Sequence, residues 1–143
     1  MAKFTTIRFS DLDNHLEQSG GEFRMGREAL DSPQIGVTWI RLPAGGSTQG
    51  DKGHFHDRQD EIYIVISGGP VEFKVEDEKT RLQGGAAIRI DAGAVHALRN
   101  VGDGDALVIA VSGQQPEAGD DSHPVDGFVP EYDQDQEQES GDG

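Results

Sequence analysis

Turn signals cut this chain at short intervals, and that constrains its fold more than any other feature. Pro43-Ala44-Gly45-Gly46, Gly68-Gly69-Pro70, Asp77-Glu78, Gly84-Gly85, Asp91-Ala92-Gly93 and Gly102-Asp103-Gly104 separate short runs, and no convincing long amphipathic helix lies between them. The runs are rich in β-branched and aromatic residues. They read as strands over Phe4–Phe9, Ile35–Leu42, Glu61–Ser67, Val71–Glu76, Thr80–Gln83, Ala87–Ile90, Val95–Asn100 and Ala106–Ser112. One short helix is expected over Asp11–Gln18, with Ser10 as its N-cap and Leu12 and Leu16 turned to the body. With 143 residues there is room for one core. The expected fold class is therefore all-β, a single-domain sandwich or barrel.

The run Ile62–Ile66 is apolar on both faces apart from Tyr63. One face belongs to the inner core, so the other needs a cover. Either a dimer partner or an amino-terminal strand could provide it, and a homodimer interface is the expected one.

Composition closes off several function classes. The absence of Cys excludes disulfides, thiolate metal sites, iron–sulfur clusters and a cysteine nucleophile. A formal net charge of −15 argues against nucleic acid, which needs clustered Lys and Arg. No apolar run approaches the roughly 18 residues of a membrane span, so none is expected, and the amino terminus carries no apolar stretch that suggests export. The expectation is a soluble cytoplasmic protein.

The charge is uneven. Ten of the 27 acidic residues and none of the 12 Lys and Arg lie in Gly113–Gly143, which leaves the first 112 residues at −5. This divides the chain into three parts: a barrel with an amino-terminal strand extension (1–112), an acidic segment partly docked through Phe128, Val129, Pro130 and Tyr132 (113–132), and an acidic tail (133–143). The tail has too little apolar surface to offset ordering entropy and is expected to be disordered.

Three of the five His carry a pattern. His54 and His56 are two apart, so on a strand both imidazoles project from one face, side by side as a divalent metal requires. Glu61 follows five residues on, an odd step that points the opposite way on a continuous strand. The polar stretch Asp57–Asp60 must therefore turn or bulge to bring its carboxylate back. His96, forty residues beyond His56, reaches the same centre only if the sheet closes on itself.

The spacing has a counterpart. His54-x-His56, four residues, Glu61, six residues, Gly68 resembles the first motif of the cupin superfamily. Gly85, five residues, Asp91-x-Gly93, two residues, His96, three residues, Asn100 resembles the second. The family's Pro in the second motif is Asp91 here. The glycine expected six residues before His54 is Thr48. Both are turn positions, and neither removes a ligand.

The resemblance implies a cupin-type double-stranded β-helix, a jelly-roll barrel. It also implies one divalent transition-metal ion held by His54, His56, Glu61 and His96. An N/O donor set of this kind suits Fe, Mn, Zn, Ni, Co or Cu alike. Tyr63 shares the face of Glu61, and Leu98 and Asn100 that of His96. Trp39 and Arg41 offer an aromatic wall and a cation if they point inward, and Gln59 and Arg58 flank the ligand loop. His15 and His123 read as surface residues.

The implied function is a small metal-dependent enzyme acting on a small-molecule substrate, with dioxygenase-type chemistry favoured because no phosphate cradle is visible. A sugar or sugar-phosphate isomerase and a non-enzymatic small-ligand binding or sensing cupin are the alternatives.

Four Lys against eight Arg, with acidic residues in excess, is a balance suited to concentrated salt, where screening removes self-repulsion. The thermal midpoint is expected to rise from low salt to molar KCl in a melting series. A flat or falling series removes this halophilic reading.

Overall fold

The computed structural model describes residues 3–114 and 121–132. The tail 133–143 lies outside them. Among the described residues, ten strands form two five-stranded sheets: β1 (Glu22–Met25), β2 (Gly36–Leu42), β3 (Gly53–His56), β4 (Glu61–Ser67), β5 (Val71–Val75), β6 (Glu78–Leu82), β7 (Ala87–Ile90), β8 (His96–Asn100), β9 (Ala106–Ser112) and β10 (Ser122–Val125). The first sheet has the order β1-β2-β9-β4-β7 and the second β10-β3-β8-β5-β6, with every pairing antiparallel. The chain crosses repeatedly from one sheet to the other, as in a jelly roll.

Alternation along the strands builds the core. Ile40 and Leu42 on β2, Tyr63 and Val65 on β4, Val71 and Phe73 on β5, Ile90 on β7, Leu98 on β8, and Ala106, Val108 and Ala110 on β9 all turn into the space between the sheets. Fully burying a side chain such as Phe73 contributes roughly 1.5–3 kcal/mol. Gly68 ends β4 at φ +76°, where a Cβ would collide with the Asp105 carbonyl. Only glycine fits that corner.

Two expectations fail at the amino-terminal end. Phe4–Phe9 forms no strand. It has strand composition but no ladder partner, and the Phe9 ring instead stacks on Trp39 with centroids 5.5 Å apart. The helix over Asp11–Gln18 is replaced by two 3₁₀ turns, Phe9–Asp11 and Glu17–Ser19. Asn14 lies between them. Its side-chain oxygen accepts the Leu16 and Phe23 N–H groups, and its amide donates to the Gly21 carbonyl. Such bonds compete with a helix that is too short to stand alone. They also hold Glu22–Met25 against β2, a strand the sequence pattern did not suggest.

The outer faces of the two sheets differ. On the second sheet, Val129 and Tyr132 are buried against Ala97, and the Tyr132 hydroxyl donates to Glu72. Lys74 Nζ donates to the Phe128 carbonyl and lies over its ring. On the first sheet, Ile62 and Ile66 stay 42% and 48% exposed. Their neighbours across β9, Val111, Ile109 and Leu107, are only half-buried. Among the described residues, no helix is long and apolar enough to cross a membrane.

Candidate metal centre

His54 and His96 are direct partners in the antiparallel pair β3–β8, so their side chains stand side by side, with ring centroids 4.2 Å apart. His56 lies two residues on, on the same face, its ring 5.3 Å from that of His54. Residues 57–60 then carry the chain across to the other sheet, where β4 begins at Glu61. The Asp91–Gly93 turn braces this crossing. The Gly93 N–H donates to the His56 carbonyl at 2.6 Å, and the Ala92 N–H to Asp60 Oδ1 at 2.9 Å. Three imidazoles from one sheet thereby face one carboxylate from the other.

The four groups meet at one atom. Glu61 Oε1 lies 3.0 Å from His56 Nε2, 3.0 Å from His96 Nε2 and 3.4 Å from His54 Nε2. The buried Tyr63 hydroxyl donates to Glu61 Oε2 at 3.2 Å and lies 3.2 Å from His96 Nε2.

The tautomers decide what this arrangement is for. His96 Nδ1 is 2.9 Å from the Ala94 carbonyl, and His56 Nδ1 is 2.9 Å from Asp121 Oδ1. Both partners only accept, so both Nδ1 atoms carry hydrogen. In the neutral rings the Nε2 lone pairs then point at a carboxylate oxygen, which also carries lone pairs. Such a contact is repulsive unless extra protons or a cation lie between. This is the donor chemistry of a metal site. Ligand atoms of His54, Glu61 and His96 all lie within 4.8 Å of one another.

A family model described as the cupin domain matches residues 38–112, just over half of the chain. The chain belongs to the cupin family. No curated protein matches it. Solved structures with the same fold include a cupin protein from Bacteroides fragilis, at TM-score 0.65 and 19% identity over 82% of this chain and 89% of that one. KdgF from Halomonas sp. aligns at TM-score 0.61 and 22% identity, covering 82% of this chain and 98% of that one. A sugar phosphate isomerase of the cupin superfamily from Silicibacter pomeroyi aligns at TM-score 0.61 and 19% identity, covering 80% and 82%. At these identities the likeness speaks for the fold alone.

Other side chains around the cupin centre divide into those it gathers and those it does not. Tyr63 joins the cluster. Trp39 and Arg41 do not: β2 turns Ile40 and Leu42 inward, so both face outward. There Trp39 Nε1 and Arg41 Nε share Glu22 Oε2 at 3.3 and 2.9 Å, and Arg41 Nη1 pairs with Asp105 at 3.2 Å. The carboxylates of Glu22, first among the causes, and of Asp105 hold the Arg41 guanidinium above its ordinary pKa. Gln59 is buried, and its amide donates to the Gly113 carbonyl at 3.1 Å, tying down the end of β9. Leu98 fills the core. Asn100 is fully buried and shapes the following turn, donating to the Leu42 and Gly104 carbonyls and accepting the Gly102 N–H. His123 stacks on Phe55 and pairs with Asp57 on the outside.

One residue escaped the sequence reading. Asp121 comes from the acidic segment, beyond the matched cupin residues. Nothing in its neighbourhood marks it off from nine other acidic residues. The apolar Phe128–Tyr132 stretch signalled that the segment reaches the body, but not where it lands.

Electrostatics follow from this packing. Burial pushes the Glu61 carboxyl up, but the His54, His56 and His96 rings that close on it outweigh burial and hold the group well below the carboxylate range. Burial lowers His56, yet Glu61 and Asp121 outweigh it and raise the ring to about 9. For His54 burial prevails over Glu61, and its pKa falls. Burial and then Glu61 push the Tyr63 phenol far up, so it keeps its proton.

A raised His56 adds stability that is complete below its ordinary value of 6.5 and disappears as pH climbs through about 9. The melting midpoint of the metal-free protein is therefore expected to fall over that window. Glu61→Gln should flatten the fall in a pH series followed by circular dichroism.

Proposed function

We propose that this cupin holds one divalent transition-metal ion through His54, His56, Glu61 and His96 and carries out dioxygenase-type chemistry on a small organic substrate. The observation that carries the reading is the convergence of three imidazole nitrogens on one carboxylate oxygen, two of them with their hydrogens committed elsewhere. An ion bound by these side chains would supply Lewis-acid chemistry and, if redox-active like Fe, Mn or Cu, electron transfer as well; Fe, Mn, Co, Ni, Cu and Zn all suit the donor set.

The chain's own residues supply the rest. Tyr63 keeps its proton and can donate a hydrogen bond to a substrate oxygen in place of Glu61 Oε2. Behind it the barrel is filled by apolar side chains, with the Phe73 ring 5.5 Å from that of Tyr63. Arg41, the cation that would have suited a carboxylate or phosphate had it pointed inward, is engaged on the outer face. This favours an uncharged or weakly charged substrate over a sugar phosphate. The isomerase reading draws its support from the name of the Silicibacter pomeroyi neighbour.

A homodimer is part of the same proposal. The exposed Ile62 and Ile66 form an apolar stripe on the first sheet, whereas the chain's own carboxy-terminal residues cover the second. Light scattering should report a dimer for the wild type and a folded monomer for the Ile62→Glu, Ile66→Glu double variant. A monomeric wild type refutes this part.

The decisive assay is oxygen uptake by the Fe(II)-loaded protein across a panel of small organic acids and phenolics, with Glu61→Ala as control. Substrate-dependent uptake that the variant lacks is the expected result. Sugar-phosphate turnover without uptake would replace the dioxygenase by the isomerase, and tight ligand binding without turnover would leave a sensor.

A further inference from the structure

Asp121 touches the metal cluster from outside the cupin domain. It immediately precedes β10, which pairs with β3 so that Ser122 lies opposite His56. Its backbone carbonyl accepts the Asp57 N–H at 3.4 Å. The residue is 8% exposed, and its carboxylate has two distinct tasks. Oδ2 accepts the Arg58 N–H at 2.8 Å, and Oδ1 accepts from His56 Nδ1 at 2.9 Å. The far side of the same ring presents Nε2 to Glu61.

We propose that Asp121 is a positioning residue of the metal centre: it holds His56 in the tautomer that leaves Nε2 bare and aims that atom at the ion, so that the segment after the barrel sets metal affinity. The proposal rests on the reading of His56 as a ligand. A carboxylate on the remote nitrogen of a ligating histidine fixes ring orientation and raises the basicity of the ligand atom, and losing such a partner typically costs about 10–100-fold in affinity.

The Arg58 N–H makes the assignment testable, because it breaks the symmetry of any amide put in place of the carboxylate. In Asp121→Asn, the side-chain oxygen must stay on the Arg58 N–H to keep that bond, which turns the NH₂ group toward His56 Nδ1. Nδ1 then has to accept, and the ring hydrogen moves to Nε2, the ligand atom. Asp121→Ala leaves Nδ1 free to bond water, so the ring is less well held but its tautomer is unconstrained. Metal affinity is therefore ordered wild type, Ala, Asn, from tightest to weakest. Stability of the metal-free fold is ordered the other way for the two variants, because Asn keeps the Arg58 bond and fills the space while Ala does neither. A residue that only packs would rank Ala below Asn in both measurements.

The experiment uses the full chain. Zn(II) and Co(II) affinities are measured by chelator competition, with the Co(II) absorption spectrum and the metal-free melting midpoint, for wild type, Asp121→Asn, Asp121→Ala, Asp121→Glu, His56→Ala and Glu61→Ala. The expected result is a loss of roughly 10–100-fold in Asp121→Asn, a smaller loss in Asp121→Ala and a partial recovery in Asp121→Glu. The Co(II) bands should shift in Asp121→Asn, and its melting midpoint should lie closer to wild type than that of Asp121→Ala. Wild-type affinity in Asp121→Asn, or a greater loss in Asp121→Ala than in Asp121→Asn, overturns the proposal while leaving the metal centre standing. Unchanged affinity in His56→Ala also overturns it. A wild type that takes up no more metal than Glu61→Ala overturns the metal reading and this proposal together.

Discussion

Three imidazole nitrogens closing on one carboxylate oxygen across the gap between two sheets are the constraint around which this molecule is arranged. Glu61 arrives from one wall and His54, His56 and His96 from the other, and nothing apolar separates them. Withdrawing an ion from water costs on the order of several kcal/mol. A carboxylate as little exposed as Glu61, at 8%, therefore persists only with strong compensation close by. The surrounding structure serves that proximity. Phe73, Ile40 and Leu98 set the spacing of the walls, and the crossing from His56 to Glu61 is bonded at both ends to the Asp91–Gly93 turn.

Much of this architecture was legible beforehand because the middle of the chain obeys local rules. The runs at Glu61–Ser67, Ala87–Ile90 and Ala106–Ser112 coincide with strands, since dense β-branched residues bounded by Gly-rich turns leave little alternative. The ends of the chain are decided by partners instead. Ser122–Val125 contains Pro124 amid acidic residues and reads as loop, yet at the edge of a sheet a proline is tolerated. Phe4–Phe9 has the opposite character, with strand composition and no partner to pair with.

The His–Glu cluster was readable for a reason that did not extend to its surroundings. Imidazoles on one strand face announce themselves by their spacing, and the turn needed to return Glu61 could be inferred from the parity of its position. The inward face of β2 could not. Ile40 and Leu42 alternate with Val37 and Trp39, so both faces carry apolar residues, and packing against β9 and Phe9 selects between them. Asp121 was hidden more thoroughly, because its role exists only once β10 is in register with β3.

The position of β10 has a consequence for how the unit should be delimited. The domain match stops at residue 112, but the rim of the second sheet there is sealed by residues 122–125, and Ala97 is roofed by Val129 and Tyr132. A fragment trimmed to the matched residues would leave β3 with a row of unanswered amide and carbonyl groups, a template for sticking to other chains. It would also bare an apolar floor. In this protein the smallest self-sufficient piece is longer than the motif that identifies it.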